Sequence, residues 1–262
     1  MLIDLHSHTN EYSACSAMSP EGLLTSAIEK GLDGVAITEH NFMRNHDDME
    51  TLRRKFPQIK IFNAIEVSIK EDEHVLVYGV TNPNLFYSGM SVKELGNVAN
   101  QEGGIMVLAH PFRYKDTVSE KVIESDIEGL EFASANVKGY MLKGFDFLLK
   151  NKRLIKVAGS DAHSLDTVGL FATRFKNKIN NEKELAKAIR SNDLSIYKDE
   201  NAVRQRNQIR VKKIPEVLNF LNAGLEPKEI KEKIGGVFTF SDIKAIRENK
   251  NVLYDLSPPT DC

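Results

Sequence analysis

The sequence predicts an α/β protein, a barrel of strands wrapped by helices, carrying a small all-α appendage at its C-terminal end. Three observations carry that prediction. A strand, a polar loop and a helix alternate about seven times, the rhythm of parallel strands joined by right-handed crossovers. Nearly every histidine, and several acids with them, stands at the carboxyl end of a strand, the face where such barrels assemble their active sites. A doubly wound sheet would share the rhythm, but no Gly-x-Gly-x-x-Gly or Walker loop is present to bind a nucleotide cofactor.

The elements follow in order. Leu2, Ile3 and Leu5 form a short apolar run suited to a buried strand, with His6 and His8 at its carboxyl end. Two histidines at i and i+2 on extended chain point to one side, so they can close on a single cation. After a polar loop, Ser19 and Pro20 open a helix as N-cap and first helical residue, and Gly31 ends it. A second strand over 34–38 delivers Glu39 and His40, and a charged stretch with His46 leads into a helix through Met49, Leu52 and Phe56. The third strand, 60–66, carries Glu66 near its end, and His74 leads into a further strand over 75–80. Ser91 and Glu94 read as a capping box for a helix ending near Gln101. The apolar strand 105–109 runs into His110 and Pro111. A helix near 118–125, a short strand 129–133, a helix 138–149 and a strand 154–158 bring the chain to Asp161 and His163. Asn181 and Glu184 read as a second capping box, for a helix to about Ser191.

At 262 residues the chain suits one large domain plus an appendage, divided here as a barrel over 1–198 and a helical module over 199–262. Hydrophobic residues at 41% and charged ones at 27% are those of a soluble globular protein with a sizeable core. A net charge of −2 gives no global reason to expect nucleic acid or membrane as partner. Two cysteines, Cys15 and Cys262, are too few for a disulfide framework. The chain runs from Met1 straight into a strand and shows no transmembrane stretch, so a cytoplasmic location is expected.

The seven histidines are 6, 8, 40, 46, 74, 110 and 163. Histidines used for packing would scatter. Here all but His46, which is read as solvated, gather with Glu66 and Asp161 at one end of the sheet. Imidazole suits zinc, iron, manganese, nickel or copper, so the donors set a metal class without naming the element. Eight donor side chains exceed the needs of one ion, whereas a bridging carboxylate would hold two ions roughly 3.5–4 Å apart.

Asp4-Leu-His6-Ser-His8-Thr, Thr38-Glu-His40, Glu66, His74, Ala109-His110-Pro and Gly159-Ser-Asp161-Ala-His163 together resemble the PHP (polymerase and histidinol phosphatase) superfamily. The resemblance covers residues 1 to about 195. It implies a distorted (β/α)7, TIM-like barrel and a metal-dependent phosphoesterase site of two or three divalent ions: manganese, zinc or iron. Carried over residue by residue, His6, His8, Glu66 and Asp161 would hold one ion. Glu66 would bridge to a second, completed by His74 and His110, and His40 and His163 would hold a third. Many relatives place an aspartate or histidine five or six residues after the second histidine, where this chain has Ser13 and Ala14. Glu11 and Cys15 flank that gap.

The expected chemistry is hydrolysis of a phosphate ester by a metal-bridging hydroxide, with Glu66, Asp161 and His163 as the catalytic set. Arg113 is the foremost candidate to grip a non-bridging phosphate oxygen, a geometry its planar guanidinium fits. Asn136 and Lys138 follow it, and Glu39 is read as supporting its neighbours. The substrate is expected to be a small nucleotide or sugar-phosphate monoester, with the end of an RNA or DNA chain as the alternative. A metal-stabilised scaffold that binds through its tail is a third reading.

In the tail, Arg204, Arg206, Arg210, Lys212 and Lys213 precede three short helices expected over 214–223, 228–234 and 241–248. This stretch weakly resembles small helix-turn-helix-like modules found with antitoxins. The expectation favours a helical cap or a homo-oligomer contact over a nucleic-acid grip.

Overall fold

The structure, a computed structural model, describes residues 1–255. The last residues of the expected appendage, Cys262 included, lie outside them. Among the described residues nine strands form one sheet: β1 (Leu2–Ser7), β2 (Gly34–His40), β3 (Lys60–Ser68), β4 (His74–Tyr78), β5 (Ile105–Ala109), β6 (Gly129–Ala133), β7 (Ile155–Ala158), β8 (Phe171–Phe175) and β9 (Leu194–Lys198). Their order across the sheet is β7-β6-β5-β4-β3-β2-β1-β8-β9. The sheet curls into a nearly closed barrel. Thr173 exchanges hydrogen bonds of 2.9 and 2.8 Å with the backbone of Ala158, and the His8 amide donates to Ala162 O at 3.0 Å. The α/β barrel class read from the sequence is the one observed.

The strands are not all parallel as expected. β4 runs antiparallel to both β3 and β5, and β8 antiparallel to β1 and β9. The reason at β4 is the connection: five residues separate it from β3, enough for a hairpin and far too few for a helical crossover. Reversal puts the start of β4 at the mouth where its neighbours end, so His74 pairs with Ser68 and Ala109 there.

The helices are α1 (Pro20–Glu29), α2 (His46–Lys55), α3 (Val92–Gln101), α4 (Glu120–Ile123), α5 (Leu142–Asn151), α6 (Glu182–Arg190), α7 (Glu200–Asn222), α8 (Pro227–Lys233) and α9 (Phe240–Arg247). Ser19 caps α1 by accepting from the Gly22 amide, with Pro20 at its first position. Neither expected capping box closes on itself. Ser91 accepts from the Glu94 amide, but Glu94 is drawn to the Tyr87 hydroxyl, and Glu184 reaches past Asn181 to the Asn180 amide. One face of the sheet gathers Ile3, Leu5, Ala36, Phe62, Leu76 and Val107 into a barrel core that α6 closes with Leu185 and Ile189. The other face packs on α1 and α2 at one side and on α3 and α5 at the other.

The tail departs from expectation at its first helix. Instead of starting near residue 214, α7 begins at Glu200, capped by the Asp199 side chain at the Ala202 amide, and runs through Pro215. The basic run is thereby wound around a helix. Arg204 pairs with Glu200, Arg206 with Asp166 and Lys213 with Glu216, while Arg210 is buried. The five cations form no single exposed stripe. The other two helices fall within a residue of their expected bounds, each preceded by a glycine in the left-handed region, Gly224 and Gly235. The tail packs on the barrel through Val203 and Tyr254 against Ala133, Ala158 and Phe171. Gly139 and Tyr140 donate to Leu253 O and Asn251 O, both at 2.9 Å.

Candidate metal centre

The centre starts from an irregularity in β1. Asp4 pairs with Val35 but Ser7 with Ile37, so β1 carries one residue more than its partner over that step. Ile3 and Leu5 belong to the barrel core, and strict alternation would turn His6 to the opposite face. The extra residue shifts the parity, and His6 and His8 join the buried cluster at the mouth. Asp4, fully buried, holds the facing loop by accepting from the Ser160 and Gly169 amides at 2.7 and 3.0 Å. At Gly159 a Cβ would stand 2.5 Å from the His6 nitrogen, so only glycine lets that loop press against β1. Two of the mouth residues, Asp161 (φ 49°) and His110 (φ 27°), sit at positive φ. Such backbone costs on the order of 1–3 kcal/mol per residue and is held by its surroundings.

The structure brings five of the six named histidines directly around Glu66 and Asp161, with His163 at the edge. The Nε2 atoms of His6 and His8 lie 3.0 Å apart, and each is 3.2–3.4 Å from both Glu66 Oε2 and Asp161 Oδ1. The other Glu66 oxygen, Oε1, is 2.9 Å from His74 Nδ1 and 3.0 Å from His110 Nε2. His40 Nδ1 approaches Glu66 Oε2 at 2.8 Å, so His40 lies between the second and third expected groupings. His163 Nδ1 meets the Asp161 carbonyl at 3.0 Å and its Oδ1 at 3.5 Å. Sets of three donors whose ligand atoms fall within 4.8 Å of one another include His6–His8–Glu66, His6–His110–Asp161, His40–Glu66–His74 and His8–His40–His163.

Two buried oxygens identify what this crowd is built for. Glu66 Oε2 and Asp161 Oδ1 are fully enclosed and accept no well-aligned hydrogen bond, although imidazole nitrogens stand as near as 2.8 Å. A buried carboxylate oxygen left this way is costly unless a cation supplies the missing partner. Nitrogen and oxygen donors at these separations fit divalent ions of the zinc, iron and manganese class. In the absence of ions, protons take their place. Burial opposes charge on His6, but the carboxylates of Asp161, Glu131 and Glu66 outweigh it and hold the imidazole well above its usual range. Burial likewise opposes ionisation of Glu66, yet His6, His74, His110 and His40 hold its carboxyl well below the ordinary value. Cations entering such a cluster displace protons, so affinity falls as pH drops.

Glu131 escaped the sequence reading. From mid-β6 it meets His6 Nδ1 at 2.8 Å and accepts the His110 amide at 3.0 Å, fixing one ring and one backbone. Its signal was a lone acid inside an otherwise apolar strand. Glu39 turns away from the cluster to accept from Thr9, Ser13 and Arg44. Asn136 donates to Asp161, while Lys138 is buried in the seam with the tail, its ammonium over the Tyr254 ring at 4.5 Å. Arg113 lies 3.7 Å from Asp161 Oδ2 with its buried Nε unpartnered. His46 is exposed on the first turn of α2, apart from the rest. Cys15 lines the same cavity as His40 and His163; burial alone would push its thiol up, but the two imidazoles bring it down to about 5.

The donors open into a cavity of about 410 Å³. His40, His74, Arg113 and His163 line its barrel side; Arg206, Lys231, Thr239 and Ser241 of the tail line the opposite side. Among the described residues no helix is long and apolar enough to cross a membrane.

A family model described as the PHP domain matches residues 4–192. An uncharacterized protein of Methanocaldococcus jannaschii is 26% identical over 146 residues, 52% of this chain and 82% of that one. Among solved structures, a two-domain protein from Bacteroides vulgatus containing a predicted PHP-like metal-dependent phosphoesterase superimposes with a TM-score of 0.61 at 18% identity, over 76% of this chain and 65% of the other. The lesion-specific endonuclease PfuEndoQ of Pyrococcus furiosus gives a TM-score of 0.54 at 20% identity, over 74% of this chain and 57% of that enzyme. At these identities the two structures bear on the fold.

Proposed function

This chain belongs to the PHP domain family, and on that premise we propose that it hydrolyses a small phosphate monoester, a nucleotide or a sugar phosphate, at a centre of two or three divalent ions. As a PHP protein it is a metal-dependent hydrolase of phosphoester bonds. The observation that carries the finer reading is the pair of enclosed oxygens without a well-aligned hydrogen bond, Glu66 Oε2 and Asp161 Oδ1, among imidazoles of which His40 and His74, with Asp161, line a cavity of about 410 Å³. His6, His8, Glu66 and Asp161 would hold one ion, Glu66, His74 and His110 a second, and His40 and His163 a third. Bound there, divalent ions would supply a nucleophile from water near neutral pH and neutralise charge on the phosphoryl oxygens.

The chain's own groups do the positioning. Glu131 fixes the His6 ring through Nδ1 and leaves Nε2 for the cation. Arg113, with its unpartnered Nε, is placed to grip a non-bridging phosphate oxygen. Asn136 steadies Asp161. His163 has Nδ1 engaged with the Asp161 carbonyl, so Nε2 is the nitrogen left to meet an ion or the departing group.

The wall contributed by the tail favours a small substrate. A cavity of this size suits a nucleotide-sized ligand, and Arg206 and Lys231 across from the donors offer charge for a second anionic group. The alternative, the end of a nucleic-acid strand, shares the terminal phosphate but must thread past that wall. The test sets p-nitrophenyl phosphate, nucleoside monophosphates, a phosphodiester and a 5′-phosphorylated oligonucleotide side by side, with manganese, zinc or iron. Faster turnover of the monoesters is expected. Preference for the oligonucleotide would move the assignment to strand ends, and no hydrolysis of any ester with metal bound would leave the scaffold reading.

A further inference from the structure

We propose that the seam between barrel and tail is a nucleobase subsite, in which a flat ring system stacks on Tyr114 and Phe240. The monoester hydrolysed is then a nucleotide and not a sugar phosphate. The inference rests on the monoester reading above and names its substrate. Beside the donor cavity lies a second hollow of about 180 Å³, between the segment that follows β5 and the helix α9. The two hollows share Arg113, Tyr114, Phe240 and Ser241 as lining, so they adjoin at these side chains. Phe240 lies outside residues 4–192, the part of the chain that the family model matches, so this wall is supplied by the appended helices.

Two aromatic rings are left open there. Tyr114 is 64% exposed and Phe240 43%, and both line the same two hollows instead of standing singly on the surface. A cation lies over each: the Arg113 guanidinium 5.0 Å from the Tyr114 centroid, and the Lys244 ammonium 4.6 Å from that of Phe240. Aromatic side chains accompanied by cations are the platform on which nucleobases stack. Both rings are held in place. Phe240 follows Thr239, whose hydroxyl accepts from the Asp242 amide at 3.2 Å and whose amide donates to the Asp242 carboxylate at 2.9 Å. Two residues past Tyr114, Asp116 is tied across the seam to Lys250 at 2.9 Å. Arg113 joins the two ends of the ligand. Its guanidinium stands 3.7 Å from Asp161 Oδ2 and over Tyr114, and its buried Nε has no partner. The Tyr114 ring is 6.3 Å from that of His74, one of the donors. A phosphate held by the donors and Arg113 therefore has these rings within reach of its ester substituent. A sugar would call instead for acceptors to meet its hydroxyls. The carboxylates that line the second hollow, Asp116 and Glu248, are both taken up by Lys250 at 2.9 Å.

The experiment compares kcat/KM for adenosine 5′-monophosphate and for ribose 5-phosphate, which carries the same phosphate and sugar without the base. The full chain with manganese or zinc is used throughout. The wild type is expected to prefer the nucleotide by about tenfold or more, the size of effect that stacking a base on an aromatic side chain gives. Tyr114→Leu and Phe240→Leu keep apolar bulk but remove the ring. Each should lower that preference by roughly five- to tenfold, through KM for the nucleotide, because contacts to the base are the same in ground state and transition state. Tyr114→Phe and Phe240→Tyr should retain it. Each ratio is taken within one preparation, so a loss of folded enzyme cancels. Adenosine itself should inhibit hydrolysis of ribose 5-phosphate by the wild type, a readout that needs no variant. A ratio of one or less in the wild type, or a preference that both leucine variants keep, would overturn the base subsite and leave the monoester reading standing. No turnover of either ester with metal bound would overturn that reading and the subsite with it.

Discussion

The barrel mouth and the C-terminal helices each bury acids beside cations, but they satisfy those acids in opposite ways. In the tail, Asp242 lies 3.0 Å from the Arg210 guanidinium, which also donates to Val252 O at 3.0 and 2.8 Å and to Val237 O at 2.8 Å. Asp242 further accepts from the Thr239 amide at 2.9 Å. The pair has partners within the chain, and the Arg210 guanidinium lies over the Phe238 and Tyr254 rings. At the mouth, Glu66 and Asp161 each keep one enclosed oxygen without a well-aligned hydrogen bond, with imidazole nitrogens crowded to 2.8–3.4 Å around it. A satisfied buried pair fastens helices together. An unsatisfied one, ringed by donors that bind either a proton or a metal, is a vacancy in the bonding that a cation completes. Burial and charge are alike in the two regions; hydrogen-bond completion separates a fastening from a functional centre.

The sharpest way to break that contrast is Glu66→Gln. An amide cannot bridge two cations as a carboxylate does, so hydrolysis should fall by about 10²-fold or more. Steady-state rates at saturating metal measure it, and near-wild-type turnover would remove Glu66 from the centre. The fold should survive the change.

Arg210→Met tests the other region. Removing the guanidinium leaves Asp242 buried without its cation, and breaking such a pair costs about 3–5 kcal/mol. Denaturant unfolding should register that loss, while the number of ions bound at the mouth stays unchanged. A stability loss near zero would mean that the tail is not fastened through this pair.

The smallest effect concerns the seam between the regions. Burial, only partly offset by Asp242, lowers the Lys138 ammonium from 10.5 to about 7. In the window between those values the unfolded chain carries this proton and the folded chain does not. Unfolding then takes up a proton, so this lysine makes stability rise with pH there and contributes a constant penalty below the window. Between about pH 7.5 and pH 9 the wild type should therefore gain roughly 2 kcal/mol relative to Lys138→Met. Parallel pH dependences in the two proteins would show that Lys138 remains charged in the seam.

What the sequence determined by itself is the chemistry of the mouth. Donor types are written in the residues, and strand ends are legible from apolar runs that stop at His6, His40, Glu66 and His110, so the donor set, the barrel class and the family followed from local pattern alone. Tertiary structure decided what local pattern leaves open. The extra residue in β1 set the face on which His6 and His8 emerge, and it is defined only by pairing with β2. Reversal of β4 brought His74 to the mouth from the start of a strand rather than its end. β8 and β9, which no alternation announced, gained their edges only by pairing with β1 and with each other. Glu131 became a partner of His6 across 125 residues of chain. Residue type sets what a side chain can bind, but register and long-range packing set which side chains share a space, and those depend on partners far away in the sequence.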